Sequence, residues 1–310
     1  MNSNNFTGGS SDQDQAPKYY TIVNAIYGGV LIVTFILGYV GNILIGITLR
    51  FERSLRCFSK FILFMQAISD TLVLLIPGTR YLFLALFDLE IREVNLFFKW
   101  FHLYFTYLVY DLIAWYLCTL SLERMCLVLW PTKSFLLRLS YKEGVILSII
   151  FVLTSSFINY NIYFEADLNY IIGSYVVLIF SVFAPFVIIF TSTFVILLKL
   201  KRNITKVGNG SNSRNQRSPL LAVKMIIASS IYYLITAIPV GGVMIISHEN
   251  SDLFHNIYLQ RLSYNGSTLL LASNAAVKFY LYNITTPHLR KVLVGIVMRL
   301  KQKFIKTGFT

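Results

Sequence analysis

YDLIAWYLCTLSLERMCLVLWP, residues 110–131, is a long apolar run with an acid at its second position, a Glu123-Arg124 pair near its end and Pro131 beyond. A run of this length and character fits a helix that crosses a bilayer, for which about 20 predominantly apolar residues suffice. Each charge inside such a span costs about 2.5 to 3.5 kcal/mol on insertion scales. Arg124 at its edge therefore either has a task or snorkels to the headgroups.

Composition extends that reading to the whole chain. Of 310 residues, 56% are hydrophobic and 13% charged, and the mean hydropathy is +0.64. These values describe a polytopic membrane protein rather than two soluble domains. A net charge of +13 would raise nucleic acid as a partner of a soluble chain; here the placement of the charge matters more, and no nucleic acid is expected. Cys57, Cys118 and Cys126 lack metal-type spacing, and none is expected to face outside to form a disulfide.

Seven stretches are long and apolar enough to span, at roughly 20–49, 58–86, 97–130, 142–163, 172–200, 219–247 and 257–283. Short connections predict neighbouring antiparallel helices. With the N-terminus outside, 21 of the 27 basic residues fall on inner loops and the tail, while Asp88, Glu90, Glu93, Glu165, Asp167, Glu249 and Asp252 lie outside. The positive-inside rule thus predicts an extracellular N-terminus. Lys18, Arg80, Arg92, Lys99 and Arg261 are the basic residues left on the outer side.

Residues 1–18 read as a polar outer tail with a glycosylation sequon at Asn5, residues 19–284 as the bundle, and 285–310 as an amphipathic basic helix and tail lying in the inner interface. The tail's pattern also suits a calmodulin-type partner, but its position directly after a span makes membrane contact the plainer reading. No cleavable signal is expected in the polar start, so the first helix acts as its own insertion signal. Residues 203–218 read as a flexible basic linker.

Polar groups inside the spans are the next candidates: Asn42, Asp70, Asp111, Asn274 and Lys278. Asn42 and Asn274 suit interhelical hydrogen bonds as well as any site.

Gly41-Asn42, Ala67-Ile68-Ser69-Asp70, Glu123-Arg124 with Pro131 seven residues on, Pro185, Pro239 and Phe279-Tyr280-Leu281-Tyr282 fall one per helix on six of seven spans, in order. The ordered set resembles the rhodopsin-like (class A) family of G-protein-coupled receptors. The FxLY ending and the YDLIAWYLCTLSLER run look most like the invertebrate neuropeptide (FMRFamide-type) branch. The resemblance implies an all-α seven-helix bundle in the plasma membrane that takes a ligand in its outer half, moves its fifth and sixth helices, kinked at Pro185 and Pro239, and admits a heterotrimeric G protein at its inner face. It also implies that Arg124 pairs with Glu123 at rest and swings toward Tyr282 or the partner on activation.

The chain departs from the family pattern at several points. No cysteine is placed for the outer disulfide, Thr236-Ala237-Ile238-Pro239 replaces CWxP, Met125 follows the arginine, and no acid opens the sixth helix. A cross-bundle lock on Arg124 is therefore not expected. The family's sodium position has Ile113 on the third helix and Lys278 on the seventh, so the Lys278 ammonium is expected to replace the ion and pair with Asp70; the alternative is that it snorkels inward. No metal or cofactor is expected. The opsin lysine position is Ala272 here, and Lys278 lies about 9 Å deeper along the helix, which argues against retinal.

For the ligand, Thr106 stands where amine receptors carry an aspartate, which argues against a monoamine. Trp100, Tyr104, Tyr107, Tyr110 and Asp111 join Thr106 as a candidate pocket, and acidic outer loops would attract a basic peptide, leaning to an arginine-bearing amidated one. Most aromatics of a chain with 25 Phe and 20 Tyr are packing and interface belts. A receptor-like protein that no longer couples, or an ion pathway built on Asp70, Asp111 and Lys278, are the alternatives. No catalytic motif is present, so no enzyme is expected.

Overall fold

The computed structural model describes residues 18–52, 55–130, 139–164, 176, 178–207, 217–249, 257–285, 290–295 and 298. These form seven long helices. Helix α1 is Lys18–Phe51, α2 is Cys57–Phe87 with a π-helical segment at Leu74–Gly78, α3 is Leu96–Leu129 and α4 is Tyr141–Phe164. Helix α5 is π over Leu178–Phe183 and α over Ala184–Val207, α6 is Arg217–Glu249 and α7 is Ile257–Thr285. Six carry a window apolar enough to cross a membrane. The seventh, α7, is less apolar because Asn265, Ser267, Thr268, Asn274 and Lys278 are buried against its neighbours rather than facing outward.

Proline shapes two of these helices. Pro77 has no N–H to give, and the ladder around it shifts to π pairing. Pro185 directly follows the π segment of α5. Pro239, by contrast, lies inside an unbroken α-helix, so the three prolines do not act alike.

Helix α7 packs against α1 and α6 and closes the ring, while α3 touches α2, α4, α5 and α6 and runs as its axis. The polarity of the bundle is inverted relative to a water-soluble fold. Ile26 is 62% exposed and Phe157 70%, whereas Asp70 is 0% exposed and Lys278 1%. Apolar side chains face outward because the surrounding medium is hydrocarbon, and polar ones gather where they can meet each other. An apolar core of Ile62, Leu63, Leu112, Tyr116, Leu120 and Met225 fills the half toward Arg124.

Small residues set the closest approach. A Cβ on Gly38 would stand 3.1 Å from the Ala276 Cβ and collide with Leu74, and one on Gly41 would stand 3.1 Å from the Phe279 Cβ. Both glycines let α7 lie against α1. Gly38→Leu is expected to cost about 1 to 3 kcal/mol through overpacking, read as a lower thermal-unfolding midpoint of the purified protein in nanodiscs.

The tail expected to lie in the interface is helical over residues 290–295, and Leu293 packs against the core. Pro131, the Asn5 sequon and most of the basic linker lie outside the described residues.

Candidate functional site

Three polar assemblies lie along the bundle. The first surrounds the short connection from α2 to α3. Asp88 ends α2 in the left-handed conformation, φ 50°, and Asn95 caps α3, its side chain accepting from the Phe98 N–H at 2.8 Å. Between them a 3-10 turn at Ile91–Glu93 holds Glu90 and Arg92 over the bundle. Glu90 takes a bidentate bond from Arg80, Nε to Oε1 at 2.7 Å and Nη2 to Oε2 at 2.5 Å. Burial works to raise the Glu90 carboxyl, but the Arg80 guanidinium outweighs it and holds the group below its ordinary value.

Below this turn opens a cavity of about 440 Å³ between α2, α3, α5, α6 and α7, within the usual range for small-ligand sites. Thr106, Tyr107 and Tyr110 line it, as does Asn274. Trp100, Tyr104 and Asp111 do not, which corrects the expected pocket. Tyr104 turns to the apolar core and packs edge-on against Phe105 at 5.3 Å, and the Trp100 ring lies beneath the Lys99 ammonium at 5.7 Å. At 100° per residue Thr106 and Tyr110 lie to one side of Tyr107 on the helix, while Tyr104 and Asp111 lie about 40° to 60° to its other side, and the cavity takes only the first sector.

Asp111 faces α4, where the Asn159 Nδ2 donates to its Oδ2 at 2.9 Å. Its Oδ1 has no hydrogen-bond partner among the described residues, nor have the hydroxyls of Ser155 and Ser181. Asn159 was not singled out from the sequence; the fourth span carries Asn159 and Asn161 along with several hydroxyls, and nothing in the sequence marks one amide over the other.

The second assembly is at mid-bundle. Lys278 Nζ on α7 donates to Asp70 Oδ1 on α2 at 2.6 Å, both fully buried. One turn along α7, the Asn274 Nδ2 donates to Thr236 Oγ1 on α6 at 3.0 Å. Thr236 is the first residue of the chain's TAIP sequence, so a hydroxyl there ties α6 to α7. Asn42 of α1 is buried without a hydrogen-bond partner among the described residues, unlike the interhelical bond expected of it.

The third assembly adds a partner to the expected pair. Arg124 Nη2 and Glu123 Oε2 lie 4.0 Å apart, and Ser59 of α2 bridges them. The Ser59 hydroxyl lies 2.7 and 2.8 Å from the two Glu123 oxygens and accepts from Arg124 Nη2 at 3.0 Å. Arg124 is thus tied to the neighbouring helix α2, and among the described residues no hydrogen bond or ion pair joins it to α6, as expected from the missing acid there. Adjacent residues on a helix point about 100° apart, which is why a third group is needed to join them. Tyr282 is buried in the apolar core of the same half.

No protein-family model matches the chain, and no curated protein matches it by sequence. Among solved structures, the crystal structure of squid rhodopsin matches with a TM-score of 0.74 at 15% identity, over 93% of this chain and 88% of that one. At that identity the likeness establishes the fold alone, the seven-helix bundle of rhodopsin; the six helices long and apolar enough to cross a membrane mark the chain as multi-pass.

The mid-bundle pair makes a direct prediction. Lys278→Met leaves a carboxylate buried without its cation and is expected to cost about 3 to 5 kcal/mol. Adding Asp70→Leu removes the orphan and is expected to restore most of the loss, measured by thermal unfolding of the single and double variants.

Proposed function

We propose that the chain is a plasma-membrane receptor, its N-terminus outside, that converts binding of a neuropeptide-like ligand into activation of a heterotrimeric G protein. The observation that supports this best is the layout of α3. Thr106 lines a ligand-sized cavity at one end, and Arg124, buried to 6% exposure, is held near the other, about 27 Å away at 1.5 Å per residue.

Between them the Asn274 and Lys278 contacts join α7 to α6 and α2. A ligand that favours a different setting of α6 against α7 bears on Asn274 directly, since Asn274 lines the cavity. At the far end, breaking the Ser59 contacts would release both the Glu123 carboxylate and the Arg124 guanidinium for a partner. That is a two-state element with a site at each end. With Lys278 on Asp70, the mid-bundle acid already has its cation, so ligand affinity is expected to be indifferent to sodium.

The decisive measurement is G-protein dissociation in cells treated with a peptide library, run beside Arg124→Ala. A response abolished in the variant at unchanged surface expression supports the receptor. Normal expression with no response from any G-protein family favours a non-coupling relative, and ligand-free currents abolished by Asp70→Asn would favour an ion pathway. Ser59→Ala, which removes a charge-assisted hydrogen bond of about 1.5 to 3 kcal/mol, is expected to raise ligand-free dissociation.

A further inference from the structure

The receptor reading leaves the chemistry of the ligand open, and the mouth of the cavity narrows it. Both oxygens of Glu90 are engaged, Oε2 by Arg80 and Oε1 by Arg80 and by the Arg92 N–H at 3.1 Å. Arg92 must look elsewhere. Its Nε donates to His102 Nδ1 at 3.1 Å, and the other ring nitrogen of His102 lies 2.8 Å from the Ile76 carbonyl oxygen. A carbonyl only accepts, so Nε2 carries the ring proton and Nδ1 is a bare acceptor. His102 therefore aims Arg92 without supplying negative charge.

Among the described residues no carboxylate forms an ion pair with Arg92, while its side chain lines the cavity. Burial and the neighbouring Arg80 guanidinium hold Arg92 below its ordinary value, and Tyr81, Tyr107 and Glu90 offset this only in part. Beneath it the wall is aromatic and apolar, with Tyr107, Tyr110, Tyr264 and Leu271. A half-buried guanidinium whose two terminal nitrogens have no hydrogen-bond partner among the described residues, above a wall of rings, has the chemistry of a carboxylate anchor.

We propose that Arg92 binds a carboxylate on the ligand, borne either by a small aromatic or aliphatic acid or by the free C-terminus of a peptide, with the attached apolar body descending beside Tyr107 and Tyr110. This rests on the receptor reading and reverses the lean toward a basic amidated peptide. Glu90 is engaged internally by Arg80, and although Glu93 also lines the cavity, an arginine entering it would meet both Arg80 and Arg92.

The test uses the full chain in nanodiscs and reads the thermal-unfolding shift with matched probes: indole-3-propionic acid and phenylbutyric acid against their amides, and tripeptides with aromatic or aliphatic ends as free acids against the same tripeptides amidated. Acids are expected to bind at least about tenfold more tightly than their amides, and Arg92→Gln to weaken them about 10- to 100-fold. Arg92→Lys, which keeps charge but loses the fork, should recover part of that affinity. Binding by the small acids identifies a small carboxylate, and binding by the peptide acids alone identifies a C-terminus.

Amides that bind as well as acids, acids that bind Arg92→Gln undiminished, or no acid binding at all would overturn the proposal. If Arg92→Gln fails to fold, the acid-to-amide ratio on the unmodified chain decides the matter by itself. No G protein is present, so a chain that binds acids but never couples sinks only the receptor reading. One that couples in response to amides alone sinks only the carboxylate.

Discussion

Lys278 and Asp70 come from positions 208 residues apart and meet at 2.6 Å with no water-exposed surface. Neither charge could remain at that depth alone; together they offset much of the desolvation that each incurs. The contact requires α7 to lie against α2, and the packing of α7 on α1 and α6 is consistent with that placement. The glycines of α1 admit α7 at close range, Asn274 reaches Thr236 on α6, and the ring closes. A seventh helix too polar to rank with the other six as a span is held in place because its polar face is turned inward.

The same economy of charge recurs at both ends of α3. Ser59 satisfies Glu123 and Arg124 together, and Glu90 satisfies Arg80 together with the Arg92 backbone. Each assembly joins at least two helices or a helix and the turn; the two deeper ones link distant parts of the chain, while the outer one draws on residues 76–102 alone. Hydrocarbon supplies no competing hydrogen bonds, and a hydroxyl or carboxylate in such a bundle is drawn to the nearest complementary group on a neighbour. Arg92 differs from the others in this respect, since the group that orients it is a neutral ring.

Much of this was legible in the chain. The seven apolar stretches mark the helices to within a few residues, apart from α5, whose described part begins at Leu178, because hydropathy and length answer to one constraint, the thickness of the bilayer. The rhodopsin-like architecture was legible too, in landmarks spread over six spans; the finer likeness to neuropeptide receptors is not reached by a structural match at 15% identity. Asp70 and Lys278 stood out because charges inside spans are rare. Arg80 and Arg92 were visible as exceptions to the charge bias, although their sign was weighed against the acidic loops rather than for itself.

Residue type alone dictates the number of helices and marks Asp70, Asp111 and Lys278 as charges inside spans, since both follow from transfer from water to hydrocarbon. Which groups meet was decided by the tertiary structure. Asp111 turned from the cavity to Asn159, Tyr104 turned to the core, and Ser59 entered between Glu123 and Arg124. These outcomes depend on the rotation of each helix about its axis, and that rotation is fixed by packing against neighbours distant in the chain rather than by the helix's own residues.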